Sequence, residues 1–185
     1  MTGEITVLSG FEYSSIAAGI KMLDIIVKAA PVTVFDVLTV TPGKYVILFT
    51  GDVASVDVSY NAGLDVGKEF LLDNFLITNL HPMIIPAFNA LQNSEEMDAL
   101  GIVETLSVVS AIEAADIAVK ETDVKILEIR YGSGMGGKSS IKLTGNLADI
   151  EEAMTVCVDF VKSKEQLCYE VIIPRPHEDI KPFFI

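Results

Sequence analysis

The sequence predicts an α+β protein built from two tandem units related to the ferredoxin-like plan, each a four-stranded antiparallel sheet with helices packed on one face. Three observations carry that expectation. The chain repeats itself: Ser14 to Lys28 is echoed by Leu106 to Lys120, and Glu12, Asp24 and Lys28 fall on Glu104, Asp116 and Lys120 at an offset of 92. The repeat stays collinear, since Gly43-Lys44 meets Gly137-Lys138 and Thr50-Gly51-Asp52 meets Thr144-Gly145-Asn146 at an offset of 94, with two extra residues in the loop of the second copy. His81-Pro82 is expected to meet Arg175-Pro176 at the same 94. Finally, 185 residues suit two domains of about 90 residues each. The expected domains are 1–93 and 98–185, joined by the polar linker Gln92-Asn93-Ser94-Glu95-Glu96.

Repeat 1 opens with an apolar strand around Ile5 to Phe11. A helix follows from about Ser14 to Ala30, with Ile16, Ile20, Leu23, Val27 and Ala30 as its apolar stripe and Lys21, Asp24 and Lys28 opposite. Asp24 stands four residues ahead of Lys28, the favourable order for a helical ion pair. Ser14 or Ser15 can cap the start, and Pro31 ends the helix. Strands Val32 to Val40 and Tyr45 to Thr50 are joined by the turn Thr41-Pro42-Gly43-Lys44. A helix over about Asp52 to Phe70 and a strand over Leu71 to Thr78 complete the copy, and His81-Pro82 starts a tail. Repeat 2 runs in the same order: a strand over Gly101 to Thr105, then a helix with Val108, Ile112, Ala115 and Val119 on one face. Strands Val124 to Tyr131 and Ser139 to Thr144 flank a glycine-rich turn. A helix over Leu147 to Val161, a strand over Leu167 to Ile173 and the tail Pro174-Arg175-Pro176-His177 follow.

Half the residues are hydrophobic and the mean hydropathy is +0.46, yet the net charge is −13. An apolar surplus on two small domains points to surface buried between subunits, or to a Val/Ile/Ala-rich core. The acidity excludes nucleic acid, which needs a basic stripe to displace phosphate counterions, and it disfavours anionic membranes. No stretch is apolar for the length of a spanning helix, and no signal peptide is read. Cys157 and Cys168, 11 apart with no histidine neighbour, match no metal spacing and read as reduced cytosolic thiols.

Gly132-Ser133-Gly134-Met135-Gly136-Gly137-Lys138-Ser139 satisfies the P-loop pattern. That chemistry requires a helix N-terminus directly after the loop to hold phosphate. Here Ile141 and Leu143 alternate with Ser140, Lys142 and Thr144, which is strand period. A glycine-rich hairpin is therefore expected, or a turn facing a symmetry axis, and an ATP-hydrolysing enzyme is the weakest reading. No catalytic constellation appears: His81 and His177 sit beside prolines in the tails, and Asp24 and Asp116 are expected on solvated helix faces with their lysines.

These landmarks resemble the bacterial microcompartment shell-protein family, tandem-domain class. The marks are the Asp-x-x-x-Lys helix ends (Asp24/Lys28, Asp116/Lys120), the Gly-rich turn Gly132 to Gly137, Thr50-Gly51-Asp52-Val53, and the end Pro174-Arg175-Pro176-His177. The likeness spans almost the whole chain, in the ordinary and not the permuted order. It implies a structural, non-enzymatic role in a cytoplasmic microcompartment shell. It further implies a homotrimer of six domains around a pore for small polar metabolites, with other shell proteins and encapsulated enzymes as partners. By resemblance the pore is lined by Thr41, Pro42, Gly43 and Lys44 with Ser133, Gly134, Met135 and Gly136. Lys28, Lys120, His81, Arg175 and His177 lie at the tile edges. Propanediol-utilisation-type members hold an iron–sulfur cluster through a cysteine just before Pro-Gly-Lys; Thr41 stands there, and a hydroxyl does not replace a thiolate, so no cofactor or metal is expected. A ferredoxin-like small-molecule-binding regulator is the rival from another class.

Overall fold

The computed structural model describes residues 5–90, 92, 97–132 and 134–181. Ser133 and most of the expected linker (Asn93 to Glu96) lie outside the described residues. Repeat 1 contains β1 (Leu8–Tyr13), α1 (Ile16–Ala29), β2 (Thr33–Val40), β3 (Lys44–Thr50), α2 (Val53–Gly67) and β4 (Leu71–Ile77). A single 3-10 turn, Ile85–Ala87, follows. Repeat 2 contains β5 (Ala99–Thr105), α3 (Val108–Glu121), β6 (Lys125–Arg130), β7 (Ser139–Gly145), α4 (Leu147–Ser163) and β8 (Leu167–Pro174). The sheets run β2-β3-β1-β4 and β6-β7-β5-β8, antiparallel throughout.

Each helix starts on a side chain that accepts the N–H three residues on: Ser15 from Ala18, Asp52 from Ser55, Ser107 from Ser110 and Asn146 from Asp149. Each such cap is worth about 1 kcal/mol. The glycine-rich loop leads straight into β7, so no helix N-terminus stands where a phosphate would need one.

The core of repeat 1 is aromatic. Phe11 stacks on Tyr13, Phe49 and Tyr60 with ring centres 5.7, 6.1 and 5.2 Å apart. The matching places in repeat 2 hold Val103, Thr105, Leu143 and Met154, all buried and none aromatic.

One expectation is corrected in part. Of the apolar stripe read for α1, Leu23 packs on the core, but Ile16, Ile20 and Val27 are 39%, 53% and 40% exposed, and Gly19, Met22 and Ile26 form the buried face. The ring of Tyr45 lies against Gly19, where a Cβ would meet it at 2.3 Å, so this side of the helix seats closest to the sheet. α1 is apolar on two sides, and the sheet takes only one. The counterpart positions on α3 (Val108, Ile112, Val119) are all buried, as is nearly the whole helix.

The chain divides into two compact units whose boundaries cross the repeats. One comprises Met1–Leu80 with the loop Gly132–Gly137; the other comprises His81–Tyr131 with Lys138–Ile185. The first unit thus takes in a loop of repeat 2, and the second takes in the tail of repeat 1.

Candidate functional site

Two duplicated groups carry the sequence signature: the turns between the middle strands, and the Asp-x-x-x-Lys helix ends with the tails.

In the first unit the two turns meet. The Lys44 ammonium pairs with the buried Glu12 carboxylate and donates to the carbonyl of Gly137 at 3.0 Å. Gly137 has φ +86°, and a Cβ there would sit 2.2 Å from the Thr41 carbonyl oxygen, so only glycine fits. Thr41, Pro42, Gly134 and Gly136 are exposed; Gly43 and Met135 are half-exposed. The Lys44 side chain is only 13% exposed. Its counterpart Lys138 pairs with the counterpart acid, Glu104, at 3.1 Å and remains 44% exposed. The side chains of Cys168 and then Glu104 raise the Lys138 pKa. Cys157 is a structural thiol: it is buried, donates to the Ala114 carbonyl and is pushed up to about 12 by loss of solvation.

At the helix ends, Lys28 Nζ lies 2.7 Å from Asp24 on an exposed surface. Asp116, expected on a solvated face, is instead buried. It holds Lys120 and also accepts the backbone N–H of His81 at 2.8 Å. The tail of repeat 1 then follows the edge strand β6: Asn89 N–H donates to Ile129 O at 2.9 Å, Gln92 N–H donates to Leu127 O at 2.7 Å, and Phe88 meets Tyr131 edge-on at 5.3 Å. In the first unit, the corresponding edge strand β2 is exposed or half-exposed at every position except Val40.

The structure also resets the register of the tails. β4 and β8 pair with β1 and β5 at an offset of 96, so the expected match of His81 with Arg175 gives way to His81 with His177. The turns agree: His81 Nδ1 accepts from Met83 N–H and His177 Nδ1 from Asp179 N–H. Ile84 N–H bonds His81 O, and Ile180 N–H bonds His177 O. The shared spacing His-x-x-Ile-x-Pro-x-Phe, from His81 and from His177, was the signal available in the sequence. Arg175 sits at φ +51° with its N–H on Asp98 O at 2.8 Å.

A family model described as the BMC domain matches residues 10–80 and again 99–176. The chain is 35% identical over 169 residues to the bacterial microcompartment shell protein PduT of Citrobacter freundii, covering 91% of this chain and 92% of that one. It is 32% identical over 88 residues to the shell protein EutM of Salmonella typhimurium, covering 48% of this chain and 90% of EutM. A crystal structure of a microcompartment protein from Desulfitobacterium hafniense superposes with a TM-score of 0.79 at 39% identity, covering 96% of this chain and 99% of that one.

Proposed function

The chain belongs to the BMC-domain family of microcompartment shell proteins, which are structural and not enzymes, and on that premise we propose that three copies close into one shell tile, six domains around a central pore. One observation carries this reading: the two units are incomplete in complementary places. Among the described residues, the second unit has the tail of repeat 1 on Asp116 and β6, whereas in the first unit Asp24 pairs with Lys28 on an exposed surface and β2 is exposed or half-exposed except at Val40. The first unit has the repeat 2 loop on Lys44, whereas in the second unit Lys138 pairs with Glu104 and keeps a side chain 44% exposed. The missing pieces are the His177 tail and the Thr41–Lys44 turn, and both are supplied by another copy joined head to tail. A head-to-tail contact that closes gives a ring, and six domains close with three chains.

In that ring the turns from Thr41 to Lys44 and from Gly132 to Gly137 gather around the axis. With Lys44 held by Glu12, the lining is hydroxyl and backbone, suited to small polar metabolites. Three threonine hydroxyls offer no thiolate, so the residues present do not fit an iron–sulfur cluster. Lys28, Lys120 and Arg175 form the outer edges against other shell proteins; a lysine stem covers apolar surface while its head donates. His81 and His177 hold the tails inside the tile. Native mass spectrometry tests the reading: three times the 20.0 kDa chain is expected, and a stable monomer or dimer contradicts it.

A further inference from the structure

A cavity of about 450 Å³ opens between α4 and β8, within the size range of small-molecule sites. Met154, Val158 and Ile172 form its apolar part, and Glu151, Asp159 and Glu170 place three carboxylates around it. Glu170 Oε2 is shielded from solvent and has no hydrogen-bond partner among the described residues. Lys162 Nζ stands 3.6 Å from the other oxygen, the lysine side chain 55% exposed and that of Glu170 40% exposed. A shielded carboxylate oxygen without a donor is costly, and a bound donor would remove that cost.

In repeat 1 the matching side chains bond to each other. The N-caps Asp52 and Asn146 set the second helices 94 apart, so Tyr60 matches Met154; the last strands match at 96, so Asn74 matches Glu170. Tyr60 stacks on Phe11, and its hydroxyl bonds the Asn74 side chain. In repeat 2, Val103 and Met154 replace the two rings, and a carboxylate replaces the amide. The exchange both opens the space and charges it. The rim residues Glu151, Thr155, Asp159 and Lys162 are exposed.

We propose that this groove binds a small organic ammonium ion, its cationic nitrogen on Glu170 Oε2 and its short aliphatic body against Met154 and Val158. Three carboxylates against one lysine select a cation, and the buried thioether and methyl groups select a carbon chain over a hydrated metal ion. The site lies within repeat 2 and does not rest on the trimer.

The test is a titration of the whole protein, methyl-labelled at methionine, with n-butylammonium chloride. The Met154 signal is identified by its loss in Met154→Leu. A saturable shift of that signal with a Kd on the order of 1 mM is expected for so small a ligand. Glu170→Gln, nearly isosteric, should weaken binding about tenfold or more. Met154→Tyr, which imports the repeat 1 arrangement, should abolish it; if that variant melts early, Glu170→Gln decides alone. An equal saturable shift with n-butanol or potassium chloride, undiminished binding in Glu170→Gln, or no saturable shift at all would each overturn the proposal.

Discussion

Asp24 and Asp116 occupy the same place in two copies of one helix, yet Asp24 is 59% exposed and Asp116 is 5% exposed. Glu12 and Glu104 differ in the opposite sense, buried in repeat 1 and open in repeat 2. Asp73 and Tyr169 follow the second pattern, at 5% and 65%. One duplicated sequence therefore presents two unlike unfinished surfaces. Had both deficits fallen on one repeat, a two-fold dimer through that face would be the natural assembly. Split between the repeats, they fit a heterologous contact, tail of one copy to helix of the next.

The largest effect that separates the repeats should come from α1 and α3. Ile112→Asp buries a charge in a helix with no exposed apolar face and should cost more than about 4 kcal/mol, leaving the chain unfolded or insoluble. Ile20→Asp, at the matching exposed position, should keep native circular dichroism while abolishing assembly. Equal effects of the two would erase the distinction.

Next come the duplicated Glu–Lys pairs. Glu12→Gln removes the carboxylate charge facing the nearly buried Lys44 and should cost about 3–5 kcal/mol in urea unfolding. Glu104→Gln acts on a half-exposed pair and should move the unfolding midpoint of the isolated chain much less. Asp116→Ala leaves the His81 N–H without its acceptor and should cost about 1–3 kcal/mol. Asp24→Ala should barely move the melting temperature, and its effect should appear in assembly instead.

The smallest contrast concerns alkaline pH. The Cys157 thiol is raised by burial from 9.0 to about 12, so above pH 9.0 the unfolded chain loses a proton that the folded chain keeps. Stability should then fall with rising pH, by about 1.4 kcal/mol per pH unit between those values. Gly63 stands at that place in repeat 1, where Tyr13, its pKa also raised by burial, brings the same loss only from pH 10.0 upward. Cys157→Ala should remove the earlier onset in pH-dependent melting while Tyr13 keeps the later one.

Element order and boundaries were legible in the sequence to within one or two residues at most ends, because N-cap side chains, Pro31 and the strand period after Gly137 are local signals. Which face of a helix is buried was not. Ile16, Ile20 and Val27 read as a core stripe because periodicity reports where apolar residues are, not what covers them. The burial of Asp116 depends on a tail 35 residues away, and the partner of Lys44 on a loop 93 away. The groove by Glu170 was hidden for a related reason: it appears only when the helices are matched at 94 and the last strands at 96.

A cross-linking pair addresses the head-to-tail contact directly. In a Cys168→Ser background, His81→Cys with Asp116→Cys should be joined by a short bis-maleimide within one chain, as the bond between those residues requires. The counterpart pair, His177→Cys with Asp24→Cys, should be joined between chains, giving covalent dimers and trimers and nothing larger on a denaturing gel. Linkage of His177→Cys to Asp24→Cys within a single chain, or a ladder continuing past three, would contradict the closed ring.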